Sequence, residues 1–127
     1  MATIKATDGA FGNVTLSNAQ TGNGVSTNVA DRGTHRGTAL LKIVSTVGAT
    51  PTVTVDIQGS ANGSDWVNVA YATTAAPETP AVAALTITTA TTSFYILRPD
   101  HPWRYLRLNL SANTNVTLTA ELQGAAP

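Results

Sequence analysis

The feature that most restricts this chain is a period-two alternation of apolar residues that recurs along its length. Val53, Val55 and Ile57 alternate with Thr54, Asp56 and Gln58. Leu106, Leu108 and Leu110 do the same, and so do Val116, Leu118, Ala120 and Leu122. Successive side chains of an extended strand point to opposite faces, so each run has one apolar face and one polar face. No segment shows a convincing helical period. The chain must therefore bury one face of several strands against another sheet layer.

The punctuation between these runs supports the same reading. Gly37 to Val47 is apolar and β-branched, and Gly48-Ala-Thr-Pro51 is expected to close it as a turn. The run from Val53 to Gln58, the turn Gly59 to Ser64 and the return Asp65 to Ala70 read as one hairpin, with Asn62-Gly63 suited to positive φ. Residues 71–81 read as a loop, because Pro77 and Pro80 cannot donate to a central ladder. Leu85 and Ile87 alternate again, and Thr92 to Leu97 reads as a strand. Pro99 and Pro102 mark a turn before Trp103, and Ser111 to Asn115 reads as another. This gives about seven or eight strands at roughly ten-residue intervals, the pattern of a sandwich or barrel. The expected fold is an all-β antiparallel sandwich, jelly-roll-like, spanning 37–127. Residues 1–36, rich in Gly, Asn and Thr, are expected to form an extended N-terminal arm or edge hairpin.

Composition bounds function more than fold. The 127 residues fit one domain, contain no cysteine, and carry zero formal net charge. Disulfides and thiolate metal sites are thereby excluded, and no field of one sign exists to attract nucleic acid or an anionic membrane. Neither partner is expected. No apolar run reaches the roughly 20 residues of a membrane-spanning helix, and Met1 to Lys5 is not followed by an apolar stretch of signal-peptide type. Only 11% of residues are charged, while 22 are Thr and 20 are Ala. Such a surface is cheap to desolvate and suits contact with another protein.

Residues for catalysis are not assembled in the sequence. His35 and His101 sit in loops without a metal-ligand spacing around them. No serine lies in a nucleophile elbow, and Asp56, Asp65, Glu78, Asp100 and Glu121 form no evident acid–base pair. Asp56, Asn62 and Asp65 could offer oxygens to calcium, but not at EF-hand spacing. The chain is expected to be no enzyme and to hold no cofactor or metal. Two binding features remain. Arg32 and Arg36, with Arg98 and Arg104, flank a middle segment whose only charges are acidic, so these four are candidate interface residues between copies. Trp66 and Trp103 are candidate platforms for stacking on a sugar ring, as in a carbohydrate-binding module of a phage tail or adhesion protein.

Several segments together resemble a known family. They are Ala39-Leu-Leu-Lys-Ile-Val44, Thr50-Pro-Thr-Val-Thr-Val-Asp-Ile-Gln-Gly-Ser60, and Asn62-Gly-Ser-Asp-Trp-Val-Asn68. Trp103-Arg-Tyr-Leu-Arg-Leu-Asn109 and Val116-Thr-Leu-Thr-Ala-Glu-Leu122 complete the set. In order they resemble head decoration, or cement, proteins of tailed bacteriophages, with Asn62 a departure at the first hairpin position. The resemblance covers about two-thirds of the chain, and its motifs are turn and core features. It implies a protein made in the host cytoplasm that binds the outside of the virion capsid. Its partners would be the major capsid protein and itself, as a homotrimer, and it would act through binding free energy.

Overall fold

The computed structural model describes residues 2–5, 13–32, 38–97 and 103–124. These form strands β1 (Ala2–Lys5), β2 (Asn13–Gln20), β3 (Gly24–Val25), β4 (Asn28–Asp31), β5 (Ala39–Ser60) and β6 (Val67–Asn68). They continue as β7 (Tyr71–Thr73), β8 (Ala76–Ala81), β9 (Leu85–Ile87), β10 (Thr91–Leu97) and β11 (Tyr105–Gly124). No helix occurs among the described residues. The all-β, sandwich-like fold expected from the alternation is present.

Two strands organise it. β5 has 22 residues and β11 has 20, and they run antiparallel from the pair Tyr105–Ser60 to the pair Gly124–Ala39. In each, the alternation is interrupted by an exposed middle. Leu41 and Ile43 are buried before it on β5, and Val53, Val55 and Ile57 after it. On β11 the corresponding sets are Leu106, Leu108 and Leu110, then Val116, Leu118 and Leu122. All of these belong to one core cluster. The hydrogen-bonded sheet therefore folds over at its middle, and its two halves face each other across the core.

The remaining strands attach to one half or the other. β9 and β6 pair with the Val53–Gly59 stretch of β5, while β4 and β3 pair with the first half of β11. β1 adds to β4 in the one parallel pairing among the described strands. β10 pairs with the Ala39–Ser45 stretch of β5 and is followed by β7 and β8. β2 pairs with the second half of β11. Residues 13–31 are thus ordered against the body, with Val14, Leu16, Val29 and Ala30 in the core. Removing residues 1–20 would strip β2 from the core. The boundary at 36/37 lies outside the described residues.

Four local expectations need correction. Gly48–Pro51 and Ser111–Asn115 do not reverse the chain, because β5 and β11 run through them. The turn-forming residues there make a paired bend. Thr50, Ala112 and Asn115 have φ of 47°, 52° and 53°, and the register shifts between Ser111 and Thr114 and again before Val116. Asparagines hold the bend. Asn115 Nδ2 donates to the Ala49 carbonyl at 2.7 Å, and Asn113 Oδ1 accepts from the Val116 amide at 3.1 Å. The predicted loop 71–81 is a hairpin of β7 and β8. Its prolines sit on β8, a terminal strand whose residues are all exposed, where a missing donor costs little. The hairpin expected over 53–70 shrinks on its return arm to β6, paired at Gln58–Asn68 and Gly59–Val67, because β9 takes the Val53–Val55 stretch of β5 while β11 holds the opposite edge. On β7, burial pushes the Tyr71 phenol above its ordinary pKa, and the nearby Tyr95, packed edge-on at 5.4 Å, adds to the rise.

Ala112 occupies the left-handed region, which costs an L-residue about 1–2 kcal/mol. Ala112→Gly is therefore expected to leave stability unchanged or to raise it by up to about 1 kcal/mol. Ala120→Gly, in the buried alternating run, should lower it by at least about 1 kcal/mol. Urea unfolding of the two variants checks the contrast.

Candidate functional site

The hairpin loop after β5 is built by two short side chains. Asn62 Oδ1 accepts from the amides of Ser64 at 2.8 Å and Asp65 at 2.9 Å, while its Nδ2 donates to Asp65 Oδ2 at 2.8 Å. Ser60 Oγ accepts from the Gly63 amide at 2.8 Å. Gly63 has φ 81°, the left-handed region that glycine enters without strain. This is why Asn62-Gly63 is found there, and why Asn62 Oδ1 is committed to the loop's own amides. The loop sets Trp66 beside the start of β11.

Trp66 is then covered on one face by Arg107. The guanidinium carbon lies 4.0 Å from the indole centroid, a cation–π contact. Arg107 Nε donates to Gln58 Oε1 at 2.9 Å, and Gln58 Nε2 donates to Asn68 Oδ1 at 3.3 Å. This chain of contacts fixes the guanidinium plane. Burial pushes the Arg107 pKa below the ordinary arginine value, but a guanidinium remains charged at any physiological pH.

Across Tyr105 lies a second cation. Arg104 forms a two-bond fork with Asp31, Nε to Oδ1 at 2.8 Å and Nη2 to Oδ2 at 3.1 Å. It also sits 5.1 Å from the Tyr105 ring centroid. The bonds to Asp31 raise the Arg104 pKa first, and the charge of that carboxylate adds to the effect. Asp31 is buried and Arg104 partly exposed. Between these pairs is a depression of about 290 Å³ lined by Asp31, Asn62, Gly63, Trp66, Tyr105 and Arg107.

The sequence candidates are thus distributed unevenly. Arg32 and Arg104 are brought together, since the Arg32 amide donates to the Arg104 carbonyl at 2.8 Å. The Arg32 side chain is only 1% exposed, so it is not a surface group of this fold. Arg104 is engaged within the chain by Asp31 and needs no second copy for its charge. Arg36 and Arg98, with His35 and His101, lie outside the described residues. Trp103 packs on the backbone of Gly59: a Cβ there would lie 2.6 Å from its Cγ. That glycine belongs to β5 and permits a close approach, rather than opening a turn. Trp66 lines the depression. Tyr105, Arg107 and Asp31 were missed as site residues, and the one local signal for them is the alternation that sends Tyr105 and Arg107 to the same face of β11. Among the described residues, no three metal-ligating side chains are gathered together.

No protein-family model matches the chain, and no curated protein matches it. Among solved structures it is similar to the SPBc2 prophage-derived protein YomS. The TM-score is 0.61 at 7% identity, over 87% of this chain and 89% of that one. At this identity the likeness shows a shared fold.

Two substitutions test the packing of this region. Gly59→Ala is expected to displace Trp103 and to cost about 1–3 kcal/mol of stability, the range for overpacking. The checks are chemical denaturation and a change in tryptophan emission. Arg104→Lys keeps the charge but cannot reproduce the fork on buried Asp31, so its unfolding midpoint by calorimetry should fall below that of the parent.

Proposed function

We propose that this protein is a non-enzymatic structural component of a tailed-phage particle, binding the outer surface of the capsid as a homotrimer and stabilising the shell. The observation that carries the reading is the outward face of the layer formed by β10, β5 and β11. Leu40 lies between Ile96 and Gln123, Lys42 between Phe94 and Glu121, and Val44 between Thr92 and Thr119. A sheet face turned to water ordinarily carries polar residues. Here Phe94 is 36% exposed, Leu40 and Ile96 are half-buried beside it, and the only charges in these rows are Lys42 and Glu121. Such a face loses little on desolvation and gains from burial against a partner.

Two further observations support the same reading. The decoration-protein resemblance rests on segments that form β5, β11 and the hairpin loop. The fold is shared with a protein described as prophage-derived. The action would be thermodynamic. A protein that binds the assembled shell and not its dissociated subunits stabilises the shell by mass action, and many identical sites multiply the effect.

The test is to count copies of this chain against the major capsid protein in purified virions by mass spectrometry, and to measure binding of Phe94→Glu to capsids lacking the chain. A copy ratio near one-to-one, or a fixed large fraction of it, is expected. Phe94→Glu should weaken capsid binding by about tenfold or more with an unchanged unfolding midpoint. A handful of copies per particle would move the protein off the shell, and full affinity of the variant would exclude this face.

A further inference from the structure

We infer that the depression between the hairpin loop and β11 is a binding site for a saccharide ring bearing a carboxylate, of the hexuronate class. The inference stands apart from the capsid-facing sheet. It uses the opposite half of the folded sheet, around Gln58, Tyr105 and Arg107, instead of the Leu40–Val44 stretch.

Three features carry it. The first is the aromatic lining. Trp66 and Tyr105 are both half-buried and both line the depression. The Tyr105 ring offers an apolar surface for the C–H face of a sugar together with a polar tip, and the Trp66 indole, covered on one face by Arg107, forms the wall beside it. The second is the charge balance. Asp31, the one carboxylate in the lining, is matched by the two-bond fork from Arg104. Arg107 has no carboxylate within ion-pair distance among the described residues. Its side-chain contacts are the neutral Gln58 amide and the Trp66 ring. Only Nε is used for Gln58, so the four N–H groups of the two terminal nitrogens remain for a ligand. A partly desolvated guanidinium with a fixed plane suits a carboxylate, which it can meet with two parallel bonds.

The third feature is rigidity and size. Asn62 is tied into its loop by both ends of its amide, a Cβ added at Gly63 would lie 3.6 Å from the Tyr105 ring, and Arg107 is held from two sides. The walls are therefore formed before any ligand arrives, which lowers the ordering cost of binding. About 290 Å³ is at the lower end of small-molecule sites, room for one ring and not for an extended cofactor.

The experiment is an NMR titration of the full chain with methyl β-D-glucuronide, with methyl β-D-glucoside, and with sodium acetate. The glucuronide is expected to shift the Trp66 indole and Arg107 Nε–H signals with millimolar affinity, about tenfold tighter than the glucoside. Arg107→Gln should erase the difference between the two sugars while keeping the unfolding midpoint close to that of the parent. Should that variant fold poorly, Trp66→Phe retains a ring and should weaken the glucuronide several-fold. Unmoved signals at tens of millimolar glucuronide, or equal affinity for the two sugars, would overturn the inference. Acetate shifting the same signals as strongly as the glucuronide would also overturn it, and would point to an acidic side chain of a protein partner instead.

Discussion

The structure depends on one constraint, the antiparallel pairing of β5 and β11 through a shared bend. Neither strand could bend alone without breaking the ladder between them. Because Thr50 on one and Asn115 on the other leave the extended region at the same level, with Ala112 leaving it just before, the pairing resumes beyond the bend, and each strand serves both layers. Every other strand borrows its position from this pair. The left-handed residues are an investment recovered from the core, since the bend is what lets Val53, Val55 and Leu108 face Leu41, Ile43 and Leu118.

The same pair separates the two surfaces on which binding is proposed. Before the bend, β5 turns Leu40, Lys42 and Val44 outward beside Phe94 and Ile96. After it, β5 offers Gln58 and Gly59, and β11 opposes them with Arg107 and Leu106. The low charge of the chain has a different consequence at each place. On the sheet face it leaves an apolar strip with two opposite charges. In the depression it leaves Arg107 stacked on Trp66 with a neutral amide as its polar partner. A chain richer in carboxylates would have had more chances to neutralise that cation internally.

The likeness to YomS extends over nearly the whole of both chains, yet identity is 7%. This is the behaviour expected of a fold specified by alternation, bends and a few close approaches, which many sequences can satisfy. The residues of the depression are a separate matter. Trp66, Tyr105 and Arg107 are not required by the core.

Fold class was legible because strand periodicity is local: Val53 to Ile57 and Leu106 to Leu110 announce their faces without any knowledge of neighbours. So were the Asn62-Gly63 turn and the strand Thr92 to Leu97. What the chain alone could not reveal was whether turn-forming residues reverse a strand or bend it. Gly48–Pro51 and Ser111–Asn115 have the composition of reversals, and only their mutual pairing across β5 and β11 makes them a fold line. The prolines of 71–81 rule out a central strand but permit an edge one, and edge position is a property of the whole sheet. The arginines show the same limit. Their clustering was visible in sequence, but which one is buried, which is matched by Asp31 and which stacks on Trp66 is decided by contacts between residues tens of positions apart.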